Sequence, residues 1–251
     1  MERFFLYPDQ IVEGFVTFPE DLSRQIRKVL RLDIKKSAVT VLDNSGWEYL
    51  VQLDGTTGNQ VIGHIMDKQK GREEPFVKLN LAYSLARREK IEWIVQKGTE
   101  LGIASFYPYV SSRSLVQDLK ANRARQERLE SIAREASEQS LRAKLPVILP
   151  VTTYEDMLKN TANHDLKLIA WEGTAIVQRI GTATLQPLIG AEQKSLVLLI
   201  GPEGGFSAEE VKLAEKHGFQ QVSFGNSILR METACVAGSA ILRNLVDSLM
   251  G

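Results

Sequence analysis

Short apolar runs, several of them alternating with polar residues, dominate the first part of the chain. These runs predict β-strands, and turn-forming residues such as Asp43 to Gly46 separate some of them. Between the second and third runs, Ile26, Val29 and Leu30 supply the apolar side of a predicted helix over residues 21–32. The predicted strands cover residues 4–7, 11–18, 38–42, 47–53 and 61–66. Several short strands at close spacing are typical of a small β-barrel.

A charged segment at residues 67–75, without an apolar residue and ending in Pro75, follows this pattern. We place the domain boundary there, with a first domain over 1–72 and a second over 73–251. Beyond it, strands alternate with helices, which predicts an α/β domain whose mainly parallel sheet is covered on both faces. Strands are predicted at 77–85, 103–110, 166–170, 196–200 and 222–224, and helices at 89–101, 121–141, 207–217 and 232–249.

The ends of two of these helices carry recognisable signals. Gly102 and Gly218 each follow a last helical turn and are predicted C-caps. Ser207, with Glu210 three residues later, forms a predicted capping box at the start of the third helix.

Composition narrows the class of protein. Lys and Arg total 31, as do Asp and Glu, so a nucleic-acid binder would have to concentrate its basic residues on one face. A single cysteine excludes an internal disulfide and fits a reducing compartment. We see no Cys/His cluster for zinc, no signal peptide and no apolar stretch long enough to span a membrane. The sequence therefore predicts a cytoplasmic protein with no metal site and no membrane association.

Candidate chemistry concentrates in a glycine-rich loop between a buried strand and a capped helix. The loop comprises Ile200, Gly201, Pro202, Glu203, Gly204 and Gly205. Glycines let a ligand approach the backbone closely, and ligands of open α/β sheets bind at the carboxyl ends of strands. The loop matches neither common phosphate-binding fingerprint, which favours a cofactor without phosphates. The alternative is a tight strand-to-helix connection.

Two further loops follow strands of the same domain. One holds Trp171, Glu172 and Gly173, and the other runs from Phe224 and Gly225 to Ile228, Leu229, Arg230 and Glu232. Three glycine-containing loops at one sheet edge would form a pocket. In the alternative interpretation, Glu232 is a favourable charge at a helix N-terminus and Arg230 is its surface partner.

Four motifs in order resemble the RsmE family, bacterial methyltransferases that act on uridine N3 of 16S ribosomal RNA in the small subunit. The motifs are residues 97–102 (KGTELG), 135–140 (EASEQS) with Arg142 and Pro146, 200–206 (IGPEGGF) and 228–234 (ILRMETA). The resemblance implies a PUA-like β-barrel, then a SPOUT domain with a C-terminal trefoil knot. It also implies S-adenosyl-L-methionine as cofactor, ribosomal RNA or the assembled small subunit as partner, and a homodimer.

The resemblance also implies roles for individual residues. Cofactor contacts would come from Trp171, Glu172, Gly173, Ile200, Gly201, Pro202, Glu203, Gly204, Gly205, Phe224, Gly225, Ile228, Leu229 and Arg230. Arg230 and Glu232 are the catalytic candidates. Arg230 would stabilise the uridine anion, and Glu232 would orient Arg230 or accept the proton through water. Cys235 is interpreted as a packed thiol rather than a nucleophile.

Basic residues in both domains are candidates for RNA contact. Arg24, Arg27, Lys28 and Arg31 fall at helical spacing, and Arg87, Arg88 and Lys90 follow a predicted strand. The remaining candidates are Arg3, Arg113, Arg134 and Arg142. An ordinary solvated face is the alternative for the helical stripe.

Other assignments stay open at this point. The protein could be a SPOUT enzyme that acts on another RNA, such as a transfer RNA ribose, or a non-catalytic ribosome-associated protein that binds RNA. The small residues Ala234, Ala237 and Gly238, with Ile241, fit either a dimer contact of the last helix or packing against the protein's own sheet.

Overall fold

The structure is a computed structural model that describes residues 1–72, 74–120, 122–173, 179–190 and 193–250. Two positions that the sequence interpretation used as boundaries, Glu73 and Ala121, lie outside these residues. The chain divides into two compact units. The first comprises Met1–Glu74 with Ser137–Leu145, and the second comprises Pro75–Ala136 with Pro146–Gly251.

The first unit is built on a six-stranded sheet. Its strands are β1 (Arg3–Phe5), β2 (Ile11–Val12), β3 (Phe15–Thr17), β4 (Ala38–Leu42), β5 (Trp47–Thr57) and β6 (Gln60–Lys70). They pair in the order β1-β4-β5-β6-β3-β2, antiparallel except for β1 with β4. Helix α1 (Glu20–Arg24) continues as a π-helical turn over Gln25–Val29, and a 3-10 helix covers Pro8–Gln10. Fully buried side chains such as Phe4, Phe18 and Ile26 form its core.

Three predictions for this unit are wrong in detail. Residues 11–18 form two strands, because Glu13 (φ 50°) and Gly14 (φ 84°) both adopt the left-handed region that tight hairpin turns require. Residues 67–70, predicted as part of a linker, belong to β6. The predicted helix 21–32 stops at Val29, and Arg31 has a φ of 52°, so the basic residues do not share one α-helical face.

The first unit also takes in a segment that the predicted boundary assigned to the second domain. Within Ser137–Leu145, Ala143 packs with Phe5 and Leu42 in a small apolar cluster. The backbone nitrogen of Leu145 donates to Asn44 at 2.7 Å. The sequence pattern does not predict that this segment packs in the first unit, because the residues that it contacts lie about 100 positions or more away along the chain.

The second unit alternates strands and helices. Its strands are β7 (Val77–Ser84), β8 (Ile103–Val110), β9 (Val147–Ile148), β10 (Thr152–Thr153), β11 (Leu166–Ala170), β12 (Lys194–Ile200) and β13 (Gln220–Val222). Its helices are α2 (Arg88–Glu100), α3 (Arg123–Gln139), α4 (Tyr154–Asn160), α5 (Ala208–Lys216) and α6 (Met231–Met250), with a 3-10 helix at Thr182–Leu188.

All pairings in the second sheet are parallel, as predicted. The order is β10-β8-β7-β12-β11-β13, and β9 pairs with β8. Side chains along each strand alternate between two apolar clusters. Leu198 joins the cluster that includes residues of α2 and α6, whereas Leu199 joins the cluster that includes residues of α4 and α5. Helices therefore cover both faces, as the alternating sequence pattern indicates.

The predicted helix signals are confirmed. Gly102 (φ 81°) and Gly218 (φ 84°) end α2 and α5, and Ser207 with Glu210 forms the capping box of α5. The last predicted strand is shifted: it ends at Val222, so Phe224 lies in the following loop. Helix α4 was not predicted, although Thr153 caps it by accepting a hydrogen bond from the Asp156 nitrogen. Over the described residues, the structure contains no helix that is long and apolar enough to cross a membrane.

Candidate functional site

The three candidate loops meet at the carboxyl ends of three adjacent strands. Ala170 at the end of β11 is paired in register with Ile200 of β12 and Val222 of β13. The loops that leave these ends surround a cleft of about 380 Å³. Of the predicted cofactor residues, those that line it are Trp171, Glu172, Ile200, Gly201, Pro202, Glu203, Gly205, Phe224, Ile228, Leu229 and Arg230. Gly173, Gly204 and Gly225 belong to the same loops but do not line the cleft.

Two glycines explain how the β12 loop turns so sharply. A Cβ atom on Gly201 would lie 2.9 Å from the Phe206 ring, so only glycine lets that ring close over the loop. Gly205 has a φ of 68°, which disfavours any residue with a side chain. A Cβ on Gly204, in contrast, would meet Arg113 at 3.3 Å. Gly204 therefore faces Arg113 and not the cleft.

Neighbouring side chains hold the loops in place. The Arg113 guanidinium donates to the carbonyl oxygens of Gly204 and Phe206 at 3.3 and 3.4 Å. Tyr109 is fully buried and its hydroxyl donates to the carbonyl of Ile200 at 2.7 Å. Arg113, predicted as an RNA contact, thus stabilises the conformation of the glycine loop. The sequence analysis did not identify Tyr109, because the residue that it contacts lies on another strand.

A charged cluster lies beside the cleft: Lys90 and Glu203 line it, and Glu232 does not. The Lys90 ammonium on α2 is 3.2 Å from Oε1 of Glu203 and 3.1 Å from Oε2 of Glu232. The three side chains are mostly buried, with 30%, 20% and 19% of their surfaces exposed. Oε2 of Glu203 is buried and accepts no hydrogen bond from any residue that the structure describes. Lys90 was predicted as an RNA contact, but here its charge is engaged by two glutamates.

The cluster shifts the ionisation of its members. Burial acts to lower the pKa of Lys90, but Glu232 and Glu203 outweigh it, so that pKa is raised. Burial acts to raise the pKa of Glu232, but its own backbone N–H, Lys90 and Arg230 hold it below the ordinary range. Both groups are therefore charged at neutral pH. A carboxylate with a lowered pKa is a weak proton acceptor, which disfavours Glu232 as a general base.

Arg230 presents a charged group at the same cleft. It is exposed, directly precedes α6, and its carbonyl accepts a hydrogen bond from the Ala234 nitrogen at 2.8 Å. Among the described residues, none forms a hydrogen bond or ion pair with its guanidinium. The expectation that Glu232 orients Arg230 is therefore not met by a direct contact, since Glu232 pairs with Lys90.

Two of the predicted RNA contacts are used inside the first unit. Arg3 forms a two-pronged pair with Glu48, with a shortest distance of 2.6 Å, and only 10% of its side chain is exposed. Arg142 is buried and lies 3.1 Å from Glu74. Both guanidiniums form ion pairs with carboxylates of the same unit, so we withdraw both residues as RNA contacts.

The other predicted RNA contacts differ in how available they are. Arg88 pairs with Glu92 at 2.6 Å, and Arg27 donates to the carbonyls of Ser23 and Asn59. Arg134 is half-buried on α3. The candidates with exposed side chains that form neither an ion pair nor a hydrogen bond with a described residue are Arg24, Lys28, Arg31 and Arg87.

Two features of α6 agree with the simpler interpretations. Cys235 is buried, and burial raises the pKa of its thiol far above the ordinary value, so it is an inert packed residue. A Cβ on Gly238 would lie 2.5 Å from Phe224 and 2.9 Å from Leu198. Gly238 is thus explained by packing within the chain.

The cleft has the size and lining of a small-molecule site. Ligand pockets commonly measure about 300–1,000 Å³ and combine apolar walls with a few polar groups. Here Ile200, Phe224 and Leu229 supply apolar surface, and the unpaired Oε2 of Glu203 supplies negative charge. A nucleoside cofactor without phosphates fits these residues. In the part of the chain that the structure describes, no group of three His, Cys, Asp or Glu residues could hold a metal ion.

Comparison with known proteins gives the class first. A family model described as "RNA methyltransferase domain" matches residues 72–243, which is most of the chain. The ribosomal RNA small subunit methyltransferase E of Bacillus subtilis is 30% identical over 100% of this chain and 99% of its own length. The Synechocystis protein of the same name is 31% identical over 98% of this chain and 78% of its own. This chain therefore belongs to the ribosomal RNA small subunit methyltransferase E family.

A solved structure agrees with this assignment. The ribosomal RNA small subunit methyltransferase E from Neisseria gonorrhoeae, solved with bound S-adenosyl methionine, superposes with a TM-score of 0.83. It is 28% identical, with 98% of each chain covered. The likeness extends over both units of the present chain.

Proposed function

We propose that this protein transfers a methyl group from S-adenosylmethionine to N3 of a specific uridine in 16S ribosomal RNA. The observation that carries the proposal is the cleft at the ends of β11, β12 and β13, where Arg230 pairs with no residue that the structure describes. Membership of the small subunit methyltransferase E family supports it. We further propose that the first unit is a PUA-like RNA-binding barrel, that the second is a SPOUT domain knotted near its C-terminus, and that the protein acts in the cytoplasm.

The cofactor would occupy the cleft between the three loops. Its adenosine would lie against the apolar lining, of which Ile200, Phe224 and Leu229 are part. Backbone groups of the glycine loop would supply most polar contacts, because Gly201 and Gly205 leave the backbone accessible. When bound, the cofactor supplies an electrophilic methyl group on a sulfonium.

Arg230 would act on the uridine. Attack by N3 requires loss of the imide proton, and the negative charge that develops spreads over N3 and the neighbouring carbonyl oxygens. A guanidinium without an internal partner can donate to those oxygens as the charge develops. No histidine is among the described residues that line the cleft, and the lowered pKa of Glu232 makes it a weak proton acceptor. Placement of the two reactants would therefore supply much of the rate.

The exposed basic residues would bind the RNA backbone. Arg24, Lys28 and Arg31 in the first unit and Arg87 in the second are the residues that we retain for this role. Phosphate contacts fix the position of an RNA without reading its sequence, so the choice of uridine would depend on the shape of the target and of the cleft. The target base must leave its stack to reach the cleft.

Methylation of small subunits with labelled cofactor tests the proposal. Small subunits and naked 16S RNA from cells that lack the enzyme would be incubated with the protein and labelled S-adenosylmethionine, then digested to nucleosides. We expect label in 3-methyluridine at one position. Label in a ribose, or in transfer RNA instead, would replace the proposal with another SPOUT activity. Cofactor and RNA binding without transfer would indicate a non-catalytic RNA-binding protein.

We also propose a homodimer formed through α6. Its residues Val236, Ala237, Ala240 and Ile241 are only half-buried in the isolated chain, which leaves apolar surface for a partner helix. Light scattering at micromolar concentration measures the mass directly. An Ile241→Glu variant should be monomeric, and a monomeric wild type would contradict the proposal.

A further inference from the structure

The cluster of Lys90, Glu203 and Glu232 contains one more negative than positive charge. Lys90 approaches both carboxylates, and the Oε2 atoms of both are buried from water. Buried carboxylates without full compensation cost free energy, because water no longer screens them. The arrangement would be stabilised by a cation that enters the adjoining cleft.

Other charges of the cleft do not provide that cation. Arg230 helps to keep the pKa of Glu232 low, but it is exposed and forms no ion pair with either glutamate in the described structure, so solvent partly screens its charge. Glu172 also lines the cleft, but it is exposed and adds only another negative charge. Lys90 holds both carboxylates in place, and the lowered pKa of Glu232 keeps that group charged at neutral pH.

We propose that this cluster makes the cleft select a cationic sulfonium over a neutral thioether. This inference rests on the proposed function. S-adenosylmethionine carries a positive sulfonium, and the product S-adenosylhomocysteine carries a thioether after the methyl group has left. Glu203 and Glu232 favour the first by charge, with Lys90 as the positioning residue. The neutral thioether of the product lacks this attraction, so the cluster promotes exchange of spent cofactor for fresh.

Calorimetric titration of three ligands tests the inference. The ligands are S-adenosylmethionine, S-adenosylhomocysteine and sinefungin, in which an amine-bearing carbon replaces the methylsulfonium. Sinefungin separates the effect of charge from that of the methyl group. In Glu203→Gln and Glu232→Gln, we expect the preference for S-adenosylmethionine over S-adenosylhomocysteine to fall by about tenfold, the order for loss of one charge interaction in a partly buried site. The preference for sinefungin should fall in parallel.

The control is Glu100→Gln. Glu100 pairs with Lys97 at 2.8 Å on the same helix as Lys90, with similar exposure, but neither residue lines the cleft. This variant should keep the wild-type preference. Because each preference is a ratio measured on one protein, partial destabilisation does not mimic the effect.

Three outcomes would overturn the inference. The first is that the affinity ratios stay unchanged in both variants. The second is that all three ligands bind more weakly by the same factor, which would mean that the carboxylates interact with the amino-acid ammonium group that the ligands share. A change in S-adenosylmethionine binding without a change for sinefungin would assign the effect to the methyl group. If the wild type bound none of the ligands, the proposed function itself would fail.

Discussion

Gly238 of α6 packs against Phe224: a Cβ atom on Gly238 would lie only 2.5 Å from Cζ of Phe224. Phe224 in turn forms part of the cleft wall. The last helix therefore fixes the position of a side chain that the proposed cofactor would touch, and this explains why a glycine stands in the middle of a long helix despite its low helix propensity.

We expect Gly238→Ala to lower both thermal stability and cofactor affinity. The added methyl must displace Phe224 or Leu198, and overpacking typically costs about 1–3 kcal/mol, which exceeds the gain of about 1 kcal/mol in helix propensity. Thermal melts and calorimetry measure the two effects. Gly181→Ala is the control, because a Cβ there meets no atom within 4 Å. A Gly238→Ala protein as stable as wild type, with unchanged affinity, would show that the contact is not limiting.

Arg230→Ala should slow methyl transfer without weakening cofactor binding. Loss of one preorganised donor to a developing anion commonly costs about 100–1,000-fold in rate. Arg230→Lys should recover only part of this loss, because lysine lacks the planar fork of arginine. Single-turnover kinetics with saturating RNA separates the chemical step from binding. An unchanged single-turnover rate in Arg230→Ala would remove this residue from the mechanism.

A double-mutant cycle tests whether Glu232 works through Arg230. Because Glu232 contacts Lys90 rather than Arg230, we expect the rate losses of Arg230→Ala and Glu232→Gln to multiply. A double variant no slower than Arg230→Ala alone would mean that the two residues act as one unit.

The basic residues predicted to contact RNA fall into two classes that mutation can separate. Arg24→Ala and Lys28→Ala should weaken RNA binding and reduce its salt dependence while leaving the melting temperature unchanged, because both side chains are exposed. Arg3→Ala should lower the melting temperature and leave RNA binding and its salt dependence unchanged, because it leaves Glu48 buried without its partner. RNA binding at two salt concentrations, with melts of each variant, measures both effects. A shallower salt dependence in Arg3→Ala would return that residue to the RNA interface.

His164 makes stability depend on pH on the acid side. Its Nε2 lies 3.3 Å from the Tyr107 hydroxyl, and burial, with Lys167 nearby, lowers the pKa of His164 from 6.5 to about 4. Between these pH values, His164 therefore binds a proton in the unfolded chain but not in the folded chain. This lowers the free energy of unfolding as pH falls from 6.5 to about 4.

His164→Phe should remove this dependence. Urea unfolding of both proteins at about pH 7 and about pH 4.5 measures it. We expect the variant to lose less stability than wild type between the two values, because phenylalanine takes up no proton. Equal losses would show that His164 does not titrate as its burial implies.

The sequence predicts best what depends on neighbours along the chain. The capping box of Ser207 and the glycine at 218 were found because a cap involves residues within one turn. The hairpin turn at Glu13 and Gly14 was missed inside an apolar run, even though glycine marked its position. Helix α4 was missed although Thr153 and Asp156 carry a capping signal, because its apolar pattern covers only two turns.

The candidate site was predicted in outline. Convergence of the three loops follows from strand ends that share one edge of a parallel sheet. The partners of charged residues could not be predicted in this way. Lys90 lies 113 positions from Glu203 along the chain, and Arg3 lies 45 positions from Glu48. Only the fold brings such charges together, so basic residues that looked available for RNA are in fact paired.

The way Ser137–Leu145 completes the first unit has a consequence for dissecting this protein. A fragment that ends at residue 72 would lack Ala143, which covers Phe5 and Leu42, and would lose the hydrogen bond from the Leu145 nitrogen to Asn44. Such a fragment would expose apolar surface and aggregate more readily than the whole chain. Adding a synthetic peptide with the sequence of residues 137–145 should restore solubility in trans, because the first unit is complete only with this segment from the middle of the chain.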